Sequence, residues 1–478
     1  MEAQLLSIVL ALSLTIPTLY FLVLHNLLSK QQPRNLPHGT MGWPICGETL
    51  TLLKPHRSNS MGTFLQQHCS RYGKVFKSHL FGSPAIVSCD NELNMFILQN
   101  EGKLFQASYP KAMHGILGNF SLLVVSRDLH KKLRNVVVNF TGSSKSTPAF
   151  LALVENLSIS KIDSWAGCKE IPFCKEVREF ALNLIVKQLL SIEPGEPQAF
   201  KILEDFRTYM KGFISLPVYI PGTPYANAVK ARARLSSTIR QIIKEREKGS
   251  VDEVMIREGD FLDVILSKGG LMDEEIVSIV LDILLGGYET TATLIPLIVY
   301  FLGHSPIAFQ TLKEEHQAIR KNKKDREPLN WEDYQKMDFT INVINEAMRC
   351  GNVVKFVHRK ALKDVKFKEY MIPSGWKVLP MFTGAHMDPS LHDNPSEFNP
   401  WRWTDKAMSK KVMPFGGGPR LCPGAELAKV EISFFLHHLV LNYRWKTKAD
   451  DFPVAYPYVE FTRGLLLEIE RNTDDTWK

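Results

Sequence analysis

The stretch Phe415-Gly416-Gly417-Gly418-Pro419-Arg420-Leu421-Cys422-Pro423-Gly424 is the segment that decides the fold. Three consecutive glycines precede the cysteine, and residues without a Cβ let a backbone approach a flat ligand closely. Backbone amides can then point at the Cys422 sulfur, and a helix predicted over 425–439 begins directly after the turn. Both features stabilise a thiolate over a thiol, so we expect the pKa of Cys422 to be lowered.

An isolated cysteine after a glycine-rich turn is ordinarily a buried structural residue. Here the whole pattern Phe-x-x-Gly-x-Arg-x-Cys-x-Gly is present without a gap. In this segment the chain resembles the cytochrome P450 family, whose axial-ligand signature it matches throughout. The resemblance implies that Cys422 is the fifth ligand of a haem iron, which favours cleavage of the O–O bond. It also implies that Phe415 and Arg420 belong to the haem site, with Arg420 suited to a two-pronged contact with a propionate.

A second segment, Gly286-Gly287-Tyr288-Glu289-Thr290-Thr291, lies within a long apolar stretch that is predicted to be helical. Two glycines inside a helix cost roughly 2 kcal/mol relative to alanine, so a purely structural helix has little use for them. Thr290 follows Gly286 by one helical turn, which lets its hydroxyl reach the Gly286 carbonyl and open a pocket for dioxygen. The resemblance implies that Thr290 and Glu289 are catalytic, with Glu289 relaying protons. The alternative is a core helix with a solvated Glu-Thr pair.

A third pattern joins two distant segments. Glu346 and Arg349 share one face of a predicted helix. Further along, Phe398-Asn399-Pro400-Trp401-Arg402-Trp403 resembles the Phe-x-Pro-x-Arg segment of the family. The resemblance therefore implies a structural cluster of Glu346, Arg349 and Arg402 behind the haem.

Three further basic residues are implied by the resemblance to contact the haem. His130 and Arg134 lie in a segment that in the family often contains Trp-x-x-x-Arg, and here His130 replaces the tryptophan. Arg359 resembles an arginine that follows the Glu-x-x-Arg pair and reaches a propionate. The alternative for each is an ordinary surface residue.

The composition is that of a packed globular protein. Hydrophobic residues make up 45% of the 478 residues and charged residues 23%, which excludes a disordered or multispanning protein. Basic residues are scattered despite the formal charge of +8, so nucleic-acid binding is disfavoured. Helical periodicity dominates the middle of the sequence, and hairpins are predicted over 74–89 and 365–379. We therefore predict a mainly α fold with small β-sheets. The resemblance implies that this is the cytochrome P450 fold, a single large haem domain with an N-terminal transmembrane helix.

The N-terminus is predicted to cross a membrane. Residues 3–28 contain no Asp, Glu, Lys or Arg, and as a helix they would span about 39 Å, enough for a bilayer core of about 30 Å. A cleaved signal peptide, the alternative, has a shorter apolar region. Lys30 and Arg34 follow the segment, which places the remainder in the cytosol. We therefore predict a single-pass anchor over 1–30, a proline-rich connector over 31–45 and a catalytic domain over 46–478, at the endoplasmic reticulum membrane.

Within the family, the resemblance is closest to plant steroid C-22 hydroxylases of brassinosteroid biosynthesis. The segments that carry it are LPHGTMGWP at 36–44, FILQNEG at 96–102, GNVVKFVHRKALKDV at 351–365 and FNPWRW at 398–403. It implies that a monomeric catalytic body hydroxylates a campesterol-like or cholesterol-like sterol at C-22, a carbon of the sterol's side chain. It also implies haem b as cofactor, O2 as oxidant and electrons from NADPH delivered by NADPH-cytochrome P450 reductase. Substrate contacts are expected from Met113, Leu117, Leu285, Val353, Val354 and Phe461.

Three alternatives remain open at this point. A plant triterpenoid or other terpenoid oxidase of the same family would share every motif described above. A haem-thiolate isomerase or dehydratase would use Cys422 but would not need the Glu289-Thr290 pair. A non-catalytic haem-binding or lipid-binding protein would need neither an oxygen pocket nor a reductase.

Overall fold

The structure is a computed structural model that describes residues 15, 19, 35–43, 47–213, 215–248, 260–324, 326–448, 450–456 and 458–472. The α-helices are, in sequence order, α1 (Thr49–Leu52), α2 (Gly62–Tyr72), α3 (Asn91–Gln99), α4 (Lys111–Leu117), α5 (Arg127–Ser144), α6 (Pro148–Asp163), α7 (Phe173–Leu190), α8 (Pro197–Lys211), α9 (Pro224–Lys248), α10 (Phe261–Lys268), α11 (Asp273–Gly303), α12 (Pro306–Lys321), α13 (Trp331–Tyr334), α14 (Asp338–Gly351), α15 (Phe382–His386), α16 (Met408–Lys411) and α17 (Ala425–Asn442). The strands are β1 (His56–Arg57), β2 (Val75–Leu80), β3 (Ser83–Ser88), β4 (Phe105–Ala107), β5 (Glu170–Pro172), β6 (Arg359–Ala361), β7 (Val365–Phe367), β8 (Tyr370–Ile372), β9 (Lys377–Pro380), β10 (Tyr443–Thr447), β11 (Pro453–Tyr456), β12 (Tyr458–Phe461) and β13 (Leu466–Arg471). The predicted mainly α fold with small β-sheets is confirmed.

The protein is divided into two compact units. The first consists of Met1–Lys54, Met61–Ser108 and Phe356–Ala385, and the second of Pro55–Ser60, Tyr109–Lys355 and His386–Lys478. Nearly all of the anchor predicted over 1–30 lies outside the described residues, and so do residues 31–34, 44 and 45 of the connector predicted over 31–45. The domain bounds drawn from the sequence therefore stay a prediction.

The first unit is built on a five-stranded sheet in the order β2-β3-β9-β6-β4. Its strands β2 and β3 form the hairpin predicted over 74–89, with Val75 opposite Ser88. The prediction over 365–379 is confirmed only in part. Strands β7 and β8 form a hairpin, with Val365 opposite Ile372, whereas β9 leaves it and pairs in parallel with β3.

The second unit contains the long helix α11, which organises its core. The apolar residues between positions 276 and 284 of this helix pack in one cluster, and those between 294 and 302 pack in another. Between these two segments the helix has an open side, because Gly286 and Thr290 are exposed although their neighbours Leu284 and Thr291 are buried. The fold thus leaves an opening in its interior beside the middle of α11.

The two glycines of α11 serve different purposes. A Cβ on Gly286 would meet no atom within 4 Å, so this residue borders open space. A Cβ on Gly287 would lie 2.7 Å from the Cδ1 atom of Ile185 in α7. Gly287 is therefore required for the close packing of two helices, and Gly286 keeps the opening wide.

Two three-stranded sheets complete the second unit. Their orders are β1-β11-β12 and β10-β13-β5. Strand β10 follows α17 directly and pairs with β13, with Tyr443 opposite Arg471. Strand β12 ends at the buried residue Phe461. These sheets fasten the C-terminal part of the protein to the helical core.

One helix within the described ranges, Asp273–Gly303, is long and apolar enough to cross a membrane. More than half of its most apolar stretch is buried inside the protein. We therefore assign it as the central core helix, α11, since a helix that is apolar on all sides is also expected in the core of a large protein.

Candidate active site

The segment that carries Cys422 is a tight loop that ends at α17. Gly416 and Gly418 have φ angles of +76° and +62°, in the left-handed region that side chains with a Cβ rarely adopt. The Cys422 amide donates to the Phe415 carbonyl at 3.0 Å, which closes the loop. The glycines before the cysteine are thus needed for the turn that presents its side chain.

The Cys422 side chain is exposed although protein surrounds it. It has free surface, while burial by the surrounding protein raises the pKa of its thiol. A group that is both accessible and enclosed lies on the wall of an internal opening. A hydrogen bond from the Gly424 amide and the charge of Arg134 act to lower this pKa. Burial outweighs them, so in the protein alone the pKa of Cys422 lies above its ordinary value rather than below it as expected.

Two arginines lie beside this thiol. Arg420 donates from its two terminal nitrogens to the carbonyls of Leu122, at 2.7 Å, and Val125, at 2.5 Å. Arg134, on α5, donates to the Leu421 carbonyl. Burial lowers the pKa of Arg134 and the neighbouring Arg420 adds to this, whereas Cys422 opposes it. The predicted haem residues Arg134 and Arg420 are therefore brought together with Cys422, in surroundings that favour an anionic ligand.

The remaining predicted haem residues occupy different places. His130 is buried on α5, one turn before Arg134. Arg359 belongs to the first compact unit, where its Nε atom lies 2.8 Å from a carboxylate oxygen of Glu101. Both side chains of that ion pair are buried. The propionate contact of Arg359 stays a prediction.

The predicted catalytic pair lies at the open side of α11. The Thr290 hydroxyl donates to the Gly286 carbonyl at 2.5 Å, one helical turn earlier. Burial raises the pKa of Glu289, the charge of Arg178 opposes this, and Glu460 adds to it. A carboxyl group with a raised pKa holds its proton more readily near neutral pH, which suits a proton donor.

The cluster predicted around Glu346 is present in full. The Glu346 carboxylate accepts hydrogen bonds from Arg349 Nε at 2.9 Å, Arg349 Nη2 at 2.7 Å and Arg402 Nε at 2.8 Å. Trp403 adds a contact that was not predicted, because its Nε1 atom donates to Glu346 at 2.9 Å. Glu346 and Arg349 are fully buried. Burial alone would raise the pKa of Glu346, but these donors and charges lower it.

The predicted substrate contacts are spread over several elements. Leu117 and Phe461 are buried, Met113, Leu285 and Val353 are half-buried, and Val354 is exposed. Val353 and Phe461 pack in the same apolar cluster, whereas Leu285 packs in the other large cluster of the second unit. Their contact with a substrate stays a prediction.

Sequence reasoning missed one polar residue on α11. Asp282 accepts hydrogen bonds from Ser121 Oγ at 2.7 Å and from the Leu122 amide at 2.6 Å. Burial raises the pKa of Asp282 to about 7. The signal was available, since Asp282 is the only charged residue between Glu275 and Glu289 in an apolar helix. Buried carboxyl groups in such a run generally have hydrogen-bond partners.

These residues fit a haem. A Cβ built on Gly286, Gly416 or Gly424 would meet no atom within 4 Å, so the backbone leaves room for a flat group. The part of the protein that the structure describes contains no group of three or more His, Cys, Asp or Glu residues that could hold a metal ion. A cysteine thiol with two arginines beside it suits haem iron and its propionates.

Comparisons with known proteins agree with this geometry. A sequence model of the family described as "Cytochrome P450" matches residues 37–468. The chain is 57% identical over 474 residues to "Cytochrome P450 724B1" of Oryza sativa subsp. japonica, covering 97% of both proteins. It is 42% identical to "Cholesterol 22-monohydroxylase CYP90B52" of Paris polyphylla, covering 93% of this chain and 95% of that protein. The solved structure "Retinoic acid bound cyanobacterial CYP120A1" superposes with a TM-score of 0.81 at 24% identity, over 92% of this chain and 100% of that one.

Proposed function

Because the chain belongs to the cytochrome P450 family of monooxygenases, we propose that it hydroxylates C-22 in the side chain of a campesterol-like or cholesterol-like sterol. Members of this family use haem iron, O2 and electrons supplied by a reductase. We further propose that the bound cofactor is haem b and that NADPH-cytochrome P450 reductase supplies electrons from NADPH. The reaction would then belong to brassinosteroid biosynthesis.

Similarity to named sterol hydroxylases supports the choice of substrate. A relative 42% identical to this chain is named a cholesterol 22-monohydroxylase, whereas the relative at 57% identity has only a family designation in its name. The proposed membrane anchor is consistent with a sterol, because sterols dissolve in the lipid phase. A terpenoid oxidase is the rival within the family and is separated from a sterol hydroxylase by the experiment below.

Each polar residue of the site has a defined task in this reaction. Haem, when bound, supplies the reductive activation of O2. Cys422 would hold the iron through its thiolate, while Arg134 and Arg420 would balance negative charge beside it. The Thr290 hydroxyl has its hydrogen directed at the Gly286 carbonyl, so its oxygen remains available to accept a hydrogen bond from water in the opening. Glu289, with its raised pKa, holds the proton that this water passes on.

One observation carries the assignment of these tasks. The Cys422 thiol and the Thr290 hydroxyl are both exposed, although α11 and α17 are mostly buried. Thr290 lies on a core helix and Cys422 lies in the loop directly before another, and exposed reactive groups at such positions mark an internal site, since buried positions are otherwise filled by close-packed side chains.

Product analysis with defined substrates tests the sterol proposal. Microsomes containing the full-length protein and a reductase are incubated with NADPH and campesterol, cholesterol or a triterpene, and products are identified by mass spectrometry. We expect sterols hydroxylated at C-22 and no product with Cys422→Ser. Turnover of the triterpene alone would indicate a terpenoid oxidase, and hydroxylation of the sterol rings would contradict the C-22 assignment. Haem binding without NADPH consumption would indicate a non-catalytic haem protein.

We also propose the cellular arrangement predicted from the sequence. Residues 1–30 anchor the protein once in the endoplasmic reticulum membrane, residues 31–45 connect the anchor to the body, and residues 46–478 form a monomeric catalytic domain in the cytosol. The charge distribution supports this orientation, since Lys30 and Arg34 follow the apolar segment and Glu2 precedes it.

A further inference from the structure

Asp282 lies on the same helix as the catalytic pair but contacts a different segment. It precedes Thr290 by about two helical turns, roughly 12 Å along α11. Its two carboxylate oxygens accept from the Ser121 hydroxyl and from the Leu122 amide, at 2.7 and 2.6 Å. Asp282 therefore holds the loop between α4 and α5, residues 118–126, firmly against α11.

The same loop is also contacted from α9. Gly118 has a φ angle of +84°, and a Cβ at this position would collide with the guanidinium of Arg232. Arg232 also lies close enough to Asp282 to act on its pKa, in the direction opposite to burial. Among the described residues, the Arg232 Nε atom has no hydrogen-bond partner. Asp282 and Arg232 thus place a carboxyl group and a guanidinium against the loop.

The far side of the loop holds the segment that presents the thiol. Leu122 donates its amide to Asp282 and accepts Arg420 at its carbonyl. Val125 accepts the second terminal nitrogen of Arg420. Arg420 precedes Cys422 by two residues, within the closed turn that begins at Phe415. A continuous series of hydrogen bonds therefore joins α11 to the cysteine loop through a single residue, Leu122.

We propose that Asp282 is a positioning residue for haem, which fixes Arg420 beside Cys422 by holding Leu122 in place. Without the carboxylate, the Ser121 hydroxyl and the Leu122 amide lose their acceptor, and the loop is free to shift with its two carbonyls. Arg420 then loses the geometry that directs its remaining donors at a haem propionate. This inference rests on family membership and on haem binding, and it holds whichever sterol is the substrate.

Haem transfer from the holoenzyme to apomyoglobin, measured without substrate, tests the proposal. Asp282→Leu removes both acceptors and should raise the rate of haem loss by about 10- to 100-fold, the usual cost of losing a residue that orients a ligand. Asp282→Asn keeps a carbonyl oxygen for the Leu122 amide and should stay within a few-fold of the parent, on the order of threefold or less. Glu274→Gln, a substitution on the first turn of the same helix, is the matched control and should leave the rate unchanged.

A double-mutant cycle separates positioning from a general loss of stability. If Asp282 acts through Arg420, the variant Asp282→Leu with Arg420→Met should lose haem no faster than Arg420→Met alone. Additive effects of the two substitutions would overturn the proposal, as would haem loss from Asp282→Leu at the rate of Glu274→Gln. Where Asp282→Leu does not fold, Ser121→Ala takes its place in the cycle, since it removes one of the two hydrogen bonds. The rates of haem loss do not depend on sterol turnover. The proposal that the protein hydroxylates a sterol can therefore fail while the proposal for Asp282 holds, and the reverse is also true.

Hydrogen exchange of the Leu122 amide gives an independent readout. This amide donates to the Asp282 carboxylate at 2.6 Å, so its exchange should become faster in Asp282→Leu and stay slow in Asp282→Asn. Equal protection in the parent and in Asp282→Leu would contradict the assignment, because the hydrogen bond would then not hold the loop.

Discussion

The Thr290 hydroxyl donates a hydrogen bond to the carbonyl of Gly286 at 2.5 Å, at the open side of α11. The donor hydrogen is thereby occupied, and the hydroxyl oxygen faces the opening as an acceptor. Gly286 leaves that space free, because a Cβ there would meet no atom within 4 Å. The two residues together keep a polar position open in an apolar helix.

Removal of the Thr290 hydroxyl should let the protein consume NADPH while it forms little product. We expect Thr290→Ala to lower product formed per NADPH consumed by on the order of 100-fold, since general acid-base groups contribute 100-fold or more. Thr290→Ser keeps the hydroxyl and is the matched control, with a ratio near that of the parent. The ratio is measured from NADPH absorbance and from mass spectrometry of the product. An unchanged ratio in Thr290→Ala would exclude Thr290 from oxygen activation.

Loss of Glu346 should prevent stable haem incorporation. Glu346→Ala leaves Arg349 and Arg402 without their shared carboxylate, and stranding a buried charge costs about 3–5 kcal/mol. The haem-to-protein ratio of the purified variant should therefore fall to a small fraction of the parent value. Glu204→Ala, at an exposed glutamate on α8, is the control and should bind haem fully. Full haem content in Glu346→Ala would contradict a structural role for the cluster.

Stability should fall in mild acid because of a buried histidine pair. His316 and His437 are buried with their Nδ1 atoms 3.1 Å apart. Burial lowers the pKa of His316 to about 3 and lowers the pKa of His437 well below its usual value. The unfolded protein binds protons at these residues below about pH 6.5, whereas the folded protein does not. Their contribution is therefore fully present above that pH and is lost as the pH falls through it.

Chemical denaturation at several pH values measures this effect. Each histidine should lower the free energy of unfolding by about 1.4 kcal/mol for every pH unit below pH 6.5. We expect His316→Gln to remove one such contribution, so the variant's dependence on pH is weaker by that amount. An identical dependence in the parent and in His316→Gln would show that His316 is already protonated in the fold.

Glycosylation tests the proposed orientation in the membrane. The sequons at Asn119, Asn139 and Asn156 all have exposed asparagines, so a lumenal catalytic domain would offer them to the glycosylation machinery. We expect no mobility shift on glycosidase treatment of the full-length protein made in plant cells. A variant with an added sequon ahead of residue 1 is the positive control, since that end is predicted to be lumenal. A glycan on any of the three asparagines would contradict the cytosolic placement.

Local spacing allowed much of the site to be predicted from sequence. Thr290 and Gly286 are one helical turn apart, and so are Glu346 and Arg349, hence each pair shares a helix face in any fold that keeps the helix. The glycines before Cys422 predicted a tight turn, because residues without a Cβ adopt backbone conformations that other residues avoid. The family resemblance supplied Arg402, which spacing alone would not have joined to Glu346.

Contacts between distant segments could not be predicted in this way. Asp282 binds Leu122 across 160 residues, and no local pattern specifies which loop reaches a given face of α11. The packing of Gly287 against Ile185 was missed for the same reason, because no local pattern shows which helix lies against this side of α11. The raised pKa of Cys422 was also missed, since burial in the finished fold outweighs the nearby donor and charge.

The ferrous-CO spectrum of Cys422→Ser tests thiolate ligation most directly. The parent should show the red-shifted Soret band of a thiolate-ligated haem, and the variant, prepared with haem retained, should lose that band because a hydroxyl replaces the thiolate. Cys174→Ser, at a buried cysteine on α7, is the matched control and should keep the band. Persistence of the thiolate band in Cys422→Ser would contradict Cys422 as the iron ligand, and with it the site built around this residue.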